Sequence, residues 1–267
     1  MTITISEIYI YPVKSCRGFA VDRAILNLWG LQYDRNWMVV TPTGKFLTQR
    51  ELPRMALIET AIGETALHLH GPDQPELQVP LADHAGSVRQ VEIWRDQCLA
   101  VDQGDQAADW FSQVLKTPCR LVRIGTDYDR PTNPNYAPNG QVSFADGYPL
   151  LVISAASLAD LNQRLPEPIP MNRFRPNLVV TGCAAYAEDR WRQIQIDQIL
   201  FDAVKPCERC VVTTTDQATG MRSSLEPIKT LSTYRRAGKN VLFGQNLVHR
   251  GEGQLQMGSR IEVVTQG

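Results

Sequence analysis

The stretch RQIQIDQILFDAVKPCERCVVTTTD, residues 192–216, decides the fold class, because strand-like patterns stand on both sides of a cysteine pair. Its first half alternates polar and apolar residues, which is typical of a half-buried β-strand. Its second half, Val211–Thr215, is a run of five β-branched residues, and such runs favour a strand as well. The stretch therefore predicts β structure before Cys207 and again after Cys210.

The same strand pattern extends outward over most of the chain, with few helices between. The stretches that predict strands are ITISEIYIYPV (3–13), AILNLWGLQYDRNWMVV (24–40), ALHLH (66–70), VEIWRDQCLAVD (91–102), RLVRI (120–124), NLVV (177–180), NVLFGQNLV (240–248) and RIEVVTQG (260–267). Strands and helices do not alternate regularly, which favours barrels or sandwiches over a doubly wound parallel sheet. We expect a mostly β (α+β) protein.

Helical spacing of apolar residues predicts two helices and a third, shorter one. DQAADWFSQVLKT begins with Asp105 as a candidate N-cap, and SAASLADLNQRL has Ser154 as its N-cap and stops before Pro166 and Pro168. SLEPIKTLSTYRRAG is the third. Between the first two helices, residues 126–140 are dense in Pro, Asn, Asp and Gly, which indicates a long loop, and we place a domain boundary there.

Composition excludes several classes of protein. The formal net charge is −1, with 27 basic and 28 acidic residues intermixed, so no broad surface for a nucleic-acid backbone is expected. No apolar stretch approaches the ~20 residues that a membrane-spanning helix needs. The six cysteines are scattered and the N-terminus lacks the features of a signal peptide, which favours a reducing cytoplasm.

The pair Cys207 and Cys210 is open to several interpretations. Structural zinc needs four ligands, and no second CxxC or spaced His pair accompanies this one. A thioredoxin-like pair needs a helix directly after it, where the β-branched run predicts a strand. Small buried core residues are the usual role of free cysteines, and we assign Cys98, Cys119 and Cys183 to it. Cys210 differs, because Pro206, Arg209 and a turn ending in Gly220 suit a loop-presented thiolate that binds a soft metal as one ligand.

Seven colinear stretches carry a resemblance that covers essentially the whole chain. They are YPVKSCRG (11–18), LQYDRNWMVV (31–40), FADGYPLLVISAASLADLN (144–162), FRPNLVV (174–180), ERCVVTTTDQATG (208–220), EPIKTLSTYR (226–235) and LFGQN (242–246). With them the chain resembles the MOSC-domain molybdenum cofactor proteins, most closely the amidoxime-reducing component family in its bacterial form without a ferredoxin domain. The resemblance implies an N-terminal β-barrel region over residues 1–125 and a MOSC-type β-barrel domain with a few short helices over 126–267.

The resemblance also implies a set of site residues. Cys210 would bind molybdenum, with a molybdopterin dithiolene and oxygen ligands completing the sphere, and Cys207 would be a bystander. Arg209 would tune the redox potential through its charge near the sulfur. Asp216 would be a proton donor, with a solvated turn aspartate as the alternative. The residues that match the family's cofactor-binding positions are Lys14, Ser15, Arg35, Gly147, Tyr148, Arg175, Asn177, Arg209 and Asn246, the last at a position where the animal proteins carry tyrosine.

The activity that this resemblance implies is the two-electron removal of oxygen from small N-hydroxylated substrates such as amidoximes. Because the chain ends at Gly267, directly after its last strand, an external electron donor of the ferredoxin or cytochrome b5 type with its reductase is expected. The chain begins at the barrel without the membrane anchor of the animal proteins, which implies a soluble, bacterial-type protein.

Two other functions stay open from the sequence. MOSC domains also end the cofactor sulfurases, so the chain could be a cofactor-binding or sulfur-carrier module without turnover. Those sulfurases carry a pyridoxal phosphate domain, which is the source of a family-level link to pyridoxal phosphate. A chain of 267 residues is too short to contain that domain beside two small β domains. Thiol–disulfide exchange through Cys207 and Cys210 is the other function, and it predicts equal damage from the loss of either cysteine.

Overall fold

A computed structural model describes residues 2–82 and 86–267 and has the mostly β fold that the sequence predicts. The strands in chain order are β1 (Ile3–Ile10), β2 (Phe19–Val21), β3 (Arg23–Asn27), β4 (Gly30–Leu31), β5 (Trp37–Val40), β6 (Glu59–Ile62), β7 (Ala66–His70), β8 (Leu77–Pro80), β9 (Val88–Ile93), β10 (Asp96–Asp102), β11 (Arg120–Ile124), β12 (Leu150–Ser154), β13 (Leu178–Thr181), β14 (Trp191–Ile196), β15 (Ile199–Arg209), β16 (Arg236–Ala237), β17 (Asn240–His249), β18 (Gly253–Gln256) and β19 (Arg260–Gln266).

The helices lie where the apolar spacing predicts them. They are α1 (Asp105–Leu115), α2 (Ala155–Arg164) and the short α3 (Ile228–Leu231), with single 3-10 turns at Pro53–Leu57, Met171–Arg173, Ala187–Arg190 and Val211–Thr214. Ser154 is confirmed as the N-cap of α2, since its Oγ accepts a hydrogen bond from the Ser157 N–H at 3.0 Å. Asp105 is not the cap of α1: Gly104 occupies that position, and Asp105 is the first helical residue.

A closed barrel of seven strands forms one part of the molecule. The pairings run β12–β13–β1–β19–β14–β15–β17 and return from β17 to β12, which closes seven strands and leaves no unpaired edge among them. Among these seven strands, all of which lie within the described residues, only β12 and β13 pair in parallel. The inside is filled by apolar side chains that alternate along each strand, including Ile5, Val152, Ile194, Phe201 and Leu247, all at most 1% exposed.

Smaller sheets lie between β4 and β12 in the sequence. One has the order β5–β11–β10–β9, and the other is the meander β6–β7–β8. The buried face of α1, with Trp110 and Phe111, packs against this region and closes a second core. One predicted strand, VEIWRDQCLAVD, is instead a hairpin of β9 and β10, because the chain reverses at Trp94 and Arg95.

The N-terminal strands pair with the C-terminal part of the chain. β1 pairs with β13 and β19, and β3 pairs with β18, a strand that the sequence analysis missed. The domain boundary that we expect between residues 125 and 126 stays a prediction. The pairing does bring the turn after β1 to one end of the barrel, where β12 and β13 begin and β15 ends.

Candidate functional site

One cavity at this end of the barrel collects almost all of the residues that the sequence singled out. It is lined by Cys210 and by every predicted cofactor-binding residue, namely Lys14, Ser15, Arg35, Gly147, Tyr148, Arg175, Asn177, Arg209 and Asn246. Cys207 lines it too. The cavity therefore brings together motifs that lie up to 232 residues apart, from Lys14 to Asn246.

The turn at Lys14 is held by backbone bonds on both sides. The Lys14 N–H donates to the Trp37 carbonyl at 2.8 Å, the Cys16 N–H donates to the Val13 carbonyl at 3.0 Å, and Ser15 takes a left-handed conformation with φ of 68°. Non-glycine residues in this region store strain of about 1–3 kcal/mol and concentrate at functional sites. The turn thus presents Lys14 and Ser15 in one defined orientation.

Lys14 is a buried cation that the chain only partly satisfies. Its Nζ donates to the Phe144 carbonyl at 2.8 Å and to the Asp146 carboxylate at 2.7 Å, and an ammonium has a third donor. Burial lowers the pKa of Lys14 to about 8, and the Asp146 carboxylate opposes that shift. Asp146, which sequence reasoning did not select, is the local counter-charge.

Two arginines that line the cavity share one aromatic ring. The guanidinium carbons of Arg35 and Arg175 lie 4.2 and 4.3 Å from the ring centroid of buried Tyr11. Arg35 pairs with Asp34 and donates to the Arg175 carbonyl at 3.1 Å. Arg175 Nη2 is buried with no hydrogen-bond partner, and burial, reinforced by the Arg35 charge, lowers the pKa of Arg175 to about 10. These are not surface ion pairs: the arrangement leaves a buried cationic donor free for an anion.

The two asparagines use their amides within the fold. Asn177 accepts from the Leu151 N–H at 3.2 Å and donates to the Tyr9 carbonyl at 3.2 Å, which ties β1 to β12. Asn246 donates to the Lys205 carbonyl at 3.0 Å. Gly147 is different, because a Cβ there would meet no atom within 4 Å. The cavity wall is therefore open at the Gly147 backbone, and side-chain contacts from the asparagines to a cofactor stay a prediction.

The chain turns sharply after the cysteine pair. β15 ends at Arg209, and Val211–Thr214 forms a 3-10 turn, so the strand predicted for this run is wrong. The threonine hydroxyls explain the difference: Thr213 Oγ1 donates to the Cys210 carbonyl at 2.9 Å, and Thr214 Oγ1 donates to the Val211 carbonyl at 2.7 Å. Such bonds to the carbonyl three residues back compete with a strand.

The cation beside Cys210 is not the one that the sequence suggests. Arg209 Nη1 donates to Cys207 Sγ at 2.9 Å, and Arg209 Nη2 donates to the Phe174 carbonyl at 2.6 Å. Cys210 Sγ instead accepts from Arg50 Nη2 at 3.2 Å. Arg209 thus hydrogen-bonds to Cys207 and not to Cys210, so its tuning of the redox potential stays a prediction, as does the bystander role of Cys207, which also lines the cavity.

Asp216 does not line the cavity. Its Oδ1 accepts from the Ala218 and Thr219 N–H groups, each at 2.9 Å, and its Oδ2 lies 3.4 Å from Arg173 Nη1. The hydrogen bond from Thr219, followed by that from Ala218 and the Arg173 charge, lowers the pKa of Asp216. A carboxylate held ionised in a turn suits the turn-aspartate alternative rather than a proton donor.

Charge and sulfur together define what this site can hold. Five cationic side chains and two carboxylates line the cavity, namely Lys14, Arg35, Arg50, Arg175 and Arg209 with Asp146 and Glu208. Within residues 2–82 and 86–267 no group of three or more His, Cys, Asp or Glu could hold a metal ion by itself. A metal at Cys210 would therefore need further ligands from an anionic organic group, and the cations are placed to bind such a group.

Comparison with known proteins identifies both parts of the chain. Residues 2–118 match the MOSC N-terminal beta barrel domain and residues 139–262 match the MOSC domain. The human mitochondrial amidoxime-reducing component 1 is 35% identical, with 98% of this chain and 83% of the human protein covered. The bovine mitochondrial amidoxime reducing component 2 is 36% identical over 87% of this chain and 72% of its own length. Across the described ranges no helix is both long and apolar enough to span a bilayer.

Proposed function

This chain belongs to the MOSC domain family, with the MOSC N-terminal beta barrel domain in front, and we propose that it is a molybdenum cofactor-dependent reductase of N-hydroxylated compounds. Its relatives are named amidoxime-reducing components, which supports the same reaction here. The reaction is the conversion of an N–OH group to N–H and water, with two electrons and two protons consumed.

The observation that carries the proposal is the position of the Cys210 sulfur in a cavity whose buried cationic side chains have hydrogen-bond donors to spare. Arg175 Nη2 is buried without a partner, and Lys14 has a donor to spare. A buried guanidinium is costly unless an anion pairs with it, so the empty donor indicates a bound anion such as the molybdopterin phosphate.

The residues that line the cavity suit this cofactor, and each can be given a role. Cys210 would supply one soft thiolate ligand, and Lys14, Ser15, Arg35 and Arg175 would bind the phosphate end. The cofactor, when bound, supplies the two-electron redox chemistry. The chain's own contribution is to orient the cofactor, to hold its negative charge and to keep the thiolate at the cavity wall.

Partners and compartment follow from the same proposal. The electrons would come from a separate ferredoxin- or cytochrome b5-type protein with its reductase, since the described residues contain no cysteine cluster for a second redox centre. The substrate would be a small N-hydroxylated molecule. Six free cysteines agree with a reducing compartment, and we propose the cytoplasm.

Metal analysis of two cysteine variants tests the function. We expect protein made in a host that synthesises the cofactor to contain molybdenum and pterin, Cys210→Ser to lose molybdenum, and Cys207→Ser to keep most of it. Equal molybdenum in wild type and Cys210→Ser would refute the role of Cys210. An equal loss of activity in Cys207→Ser and Cys210→Ser would instead support thiol–disulfide exchange.

An activity measurement then separates a reductase from a carrier module. With a chemical reductant as electron source, the molybdenum-loaded wild type should convert benzamidoxime to benzamidine. Protein that binds molybdenum and pterin but does not reduce any N-hydroxylated substrate would favour the cofactor-binding or sulfur-carrier alternative.

A further inference from the structure

The hydrogen bond between Arg50 and Cys210 joins two residues that lie 160 positions apart in the sequence. Arg50 follows β5 in the N-terminal half, and Cys210 follows β15 of the barrel. The distance from Arg50 Nη2 to Cys210 Sγ is 3.2 Å, within hydrogen-bond range for sulfur. The nearer residue in sequence, Arg209, bonds to the other sulfur of the pair.

An aromatic ring holds the guanidinium of Arg50 from one side. The Arg50 guanidinium carbon lies 4.4 Å from the centroid of the Trp94 ring. Trp94 has φ of 58°, which is strained for a bulky residue, and its Nε1 donates to Asp146 Oδ1 at 3.3 Å. Stacking on a fixed indole limits the rotamers of Arg50 and aims its donors at the sulfur.

The backbone of Arg50 is held from the opposite half of the molecule. Arg222 donates from Nη1 to the Arg50 carbonyl at 3.1 Å and from Nη2 to the Gln49 carbonyl, while its Nε donates to Thr215 Oγ1 at 2.9 Å. The Arg50 N–H donates to Thr48 Oγ1 at 3.1 Å. Contacts from both halves of the molecule therefore hold the backbone and the side chain of Arg50.

We propose that Arg50 is a positioning residue for the Cys210 thiolate, and that it sets the charge next to the metal which that sulfur binds. This inference rests on the proposed function. A guanidinium fixed at the ligand sulfur orients its lone pairs and withdraws electron density from them. Because a nearby cation stabilises the more electron-rich state, Arg50 raises the reduction potential of the bound metal.

Charge and hydrogen bonding at this position are separable by substitution. Arg50→Gln removes the cation, and Arg50→Lys keeps it but loses the planar fork and its stacking on Trp94. Arg54→Gln is the matched control, because it removes the same charge four residues away. Arg54 pairs with Asp73 at 3.3 Å and does not line the cavity.

The experiment measures molybdenum content, midpoint potential and the Mo(V) electron paramagnetic resonance spectrum of the cofactor-loaded proteins. We expect Arg50→Gln to lower the midpoint potential and to change the spectrum. Arg50→Lys should keep a potential close to that of the wild type but show a changed spectrum, because the bond to the sulfur is altered. Arg54→Gln should match the wild type in both.

Each outcome bears on one of the two proposals. A potential and spectrum of Arg50→Gln that match those of Arg54→Gln would overturn the inference and leave the proposed function intact. Should Arg50→Gln fail to fold, an unchanged spectrum in Arg50→Lys would overturn it. Wild-type protein without molybdenum from a cofactor-competent host would defeat the proposed function itself.

Discussion

Lys14 illustrates at the residue scale how the site keeps a charge away from water. The residue is 4% exposed, and the partners of its ammonium are a carbonyl and the Asp146 carboxylate. Desolvation disfavours the ammonium more than these partners stabilise it, which is why its pKa falls to about 8. An anion that binds in the cavity would supply additional negative charge next to the Lys14 ammonium.

This lowered pKa predicts a pH dependence of stability. Lys14 loses its proton near pH 8 in the folded chain but near 10.5 in the unfolded chain, so between these values the unfolded state binds more protons and stability rises with pH. In the absence of cofactor, we expect the free energy of unfolding of the wild type minus that of Lys14→Met to increase by about 2 kcal/mol between pH 7.5 and pH 9.5. Urea unfolding of both proteins at both pH values measures it, and a constant difference would contradict it.

At the scale of single elements, the segment after Cys210 shows how hydroxyl groups override β propensity. Thr213 is 1% exposed, and its Oγ1 and N–H both donate to the Cys210 carbonyl, at 2.9 and 3.1 Å. A valine has the same shape and a higher preference for strands but no donor. The hydroxyl, and not side-chain volume, is therefore what distinguishes threonine from valine in the turn that places the Cys210 sulfur.

Thr213→Val should accordingly destabilise the protein by about 1 kcal/mol, the usual net value of one buried hydrogen bond. Thr233→Val is the control, because Thr233 Oγ1 makes the same kind of bond to the Thr230 carbonyl at 2.8 Å, but in an exposed turn. Urea unfolding of the cofactor-free proteins compares the two. Equal losses would mean that the Thr213 hydroxyl has no special part in fixing this turn.

At the scale of the whole molecule, a buried pair of amides connects the N-terminal half to the barrel half. Gln49 and Gln217 are 0% and 4% exposed and exchange two hydrogen bonds of 3.1 and 3.0 Å. Gln49 also donates to the Ser15 carbonyl at 2.7 Å. The pair therefore ties the Lys14–Ser15 turn, the Arg50 turn and the segment after Cys210 to one another.

A double-mutant cycle tests this connection. Gln49→Leu or Gln217→Leu alone leaves the other amide buried without its partner, which costs about 1–3 kcal/mol. The double variant removes both polar groups, so we expect it to cost less than the sum of the single variants, with a coupling of about 0.5–3 kcal/mol in urea unfolding. Strictly additive losses would show that the two amides do not act as a pair.

The sequence by itself determined the fold class, α1, α2 and the predicted cofactor-binding residues of the cavity, but not Asp146 or Arg50. A period of 2 or 3.6 residues shows which face of an element is buried, so a strand such as β7 follows from the local pattern. The Ser154 cap also follows from the local sequence. Lys14, Arg175 and Cys210 were identified by the motifs that match the family. The 3-10 turn at Val211–Thr214 did not follow, because β-branched propensity and threonine back-bonding make opposite predictions and only packing selects between them.

Tertiary structure alone decided which charges meet. Arg50 and Cys210 are 160 residues apart, and Lys14 and Asp146 are 132 apart, whereas Arg209 lies beside Cys210 in the chain but bonds to Cys207. Alternating side chains on β15 put Arg209 on the same side as Cys207, and barrel closure brings the Arg50 turn to Cys210. Local sequence patterns carry no information about such long-range partners, because chain closure and packing of the two cores set them.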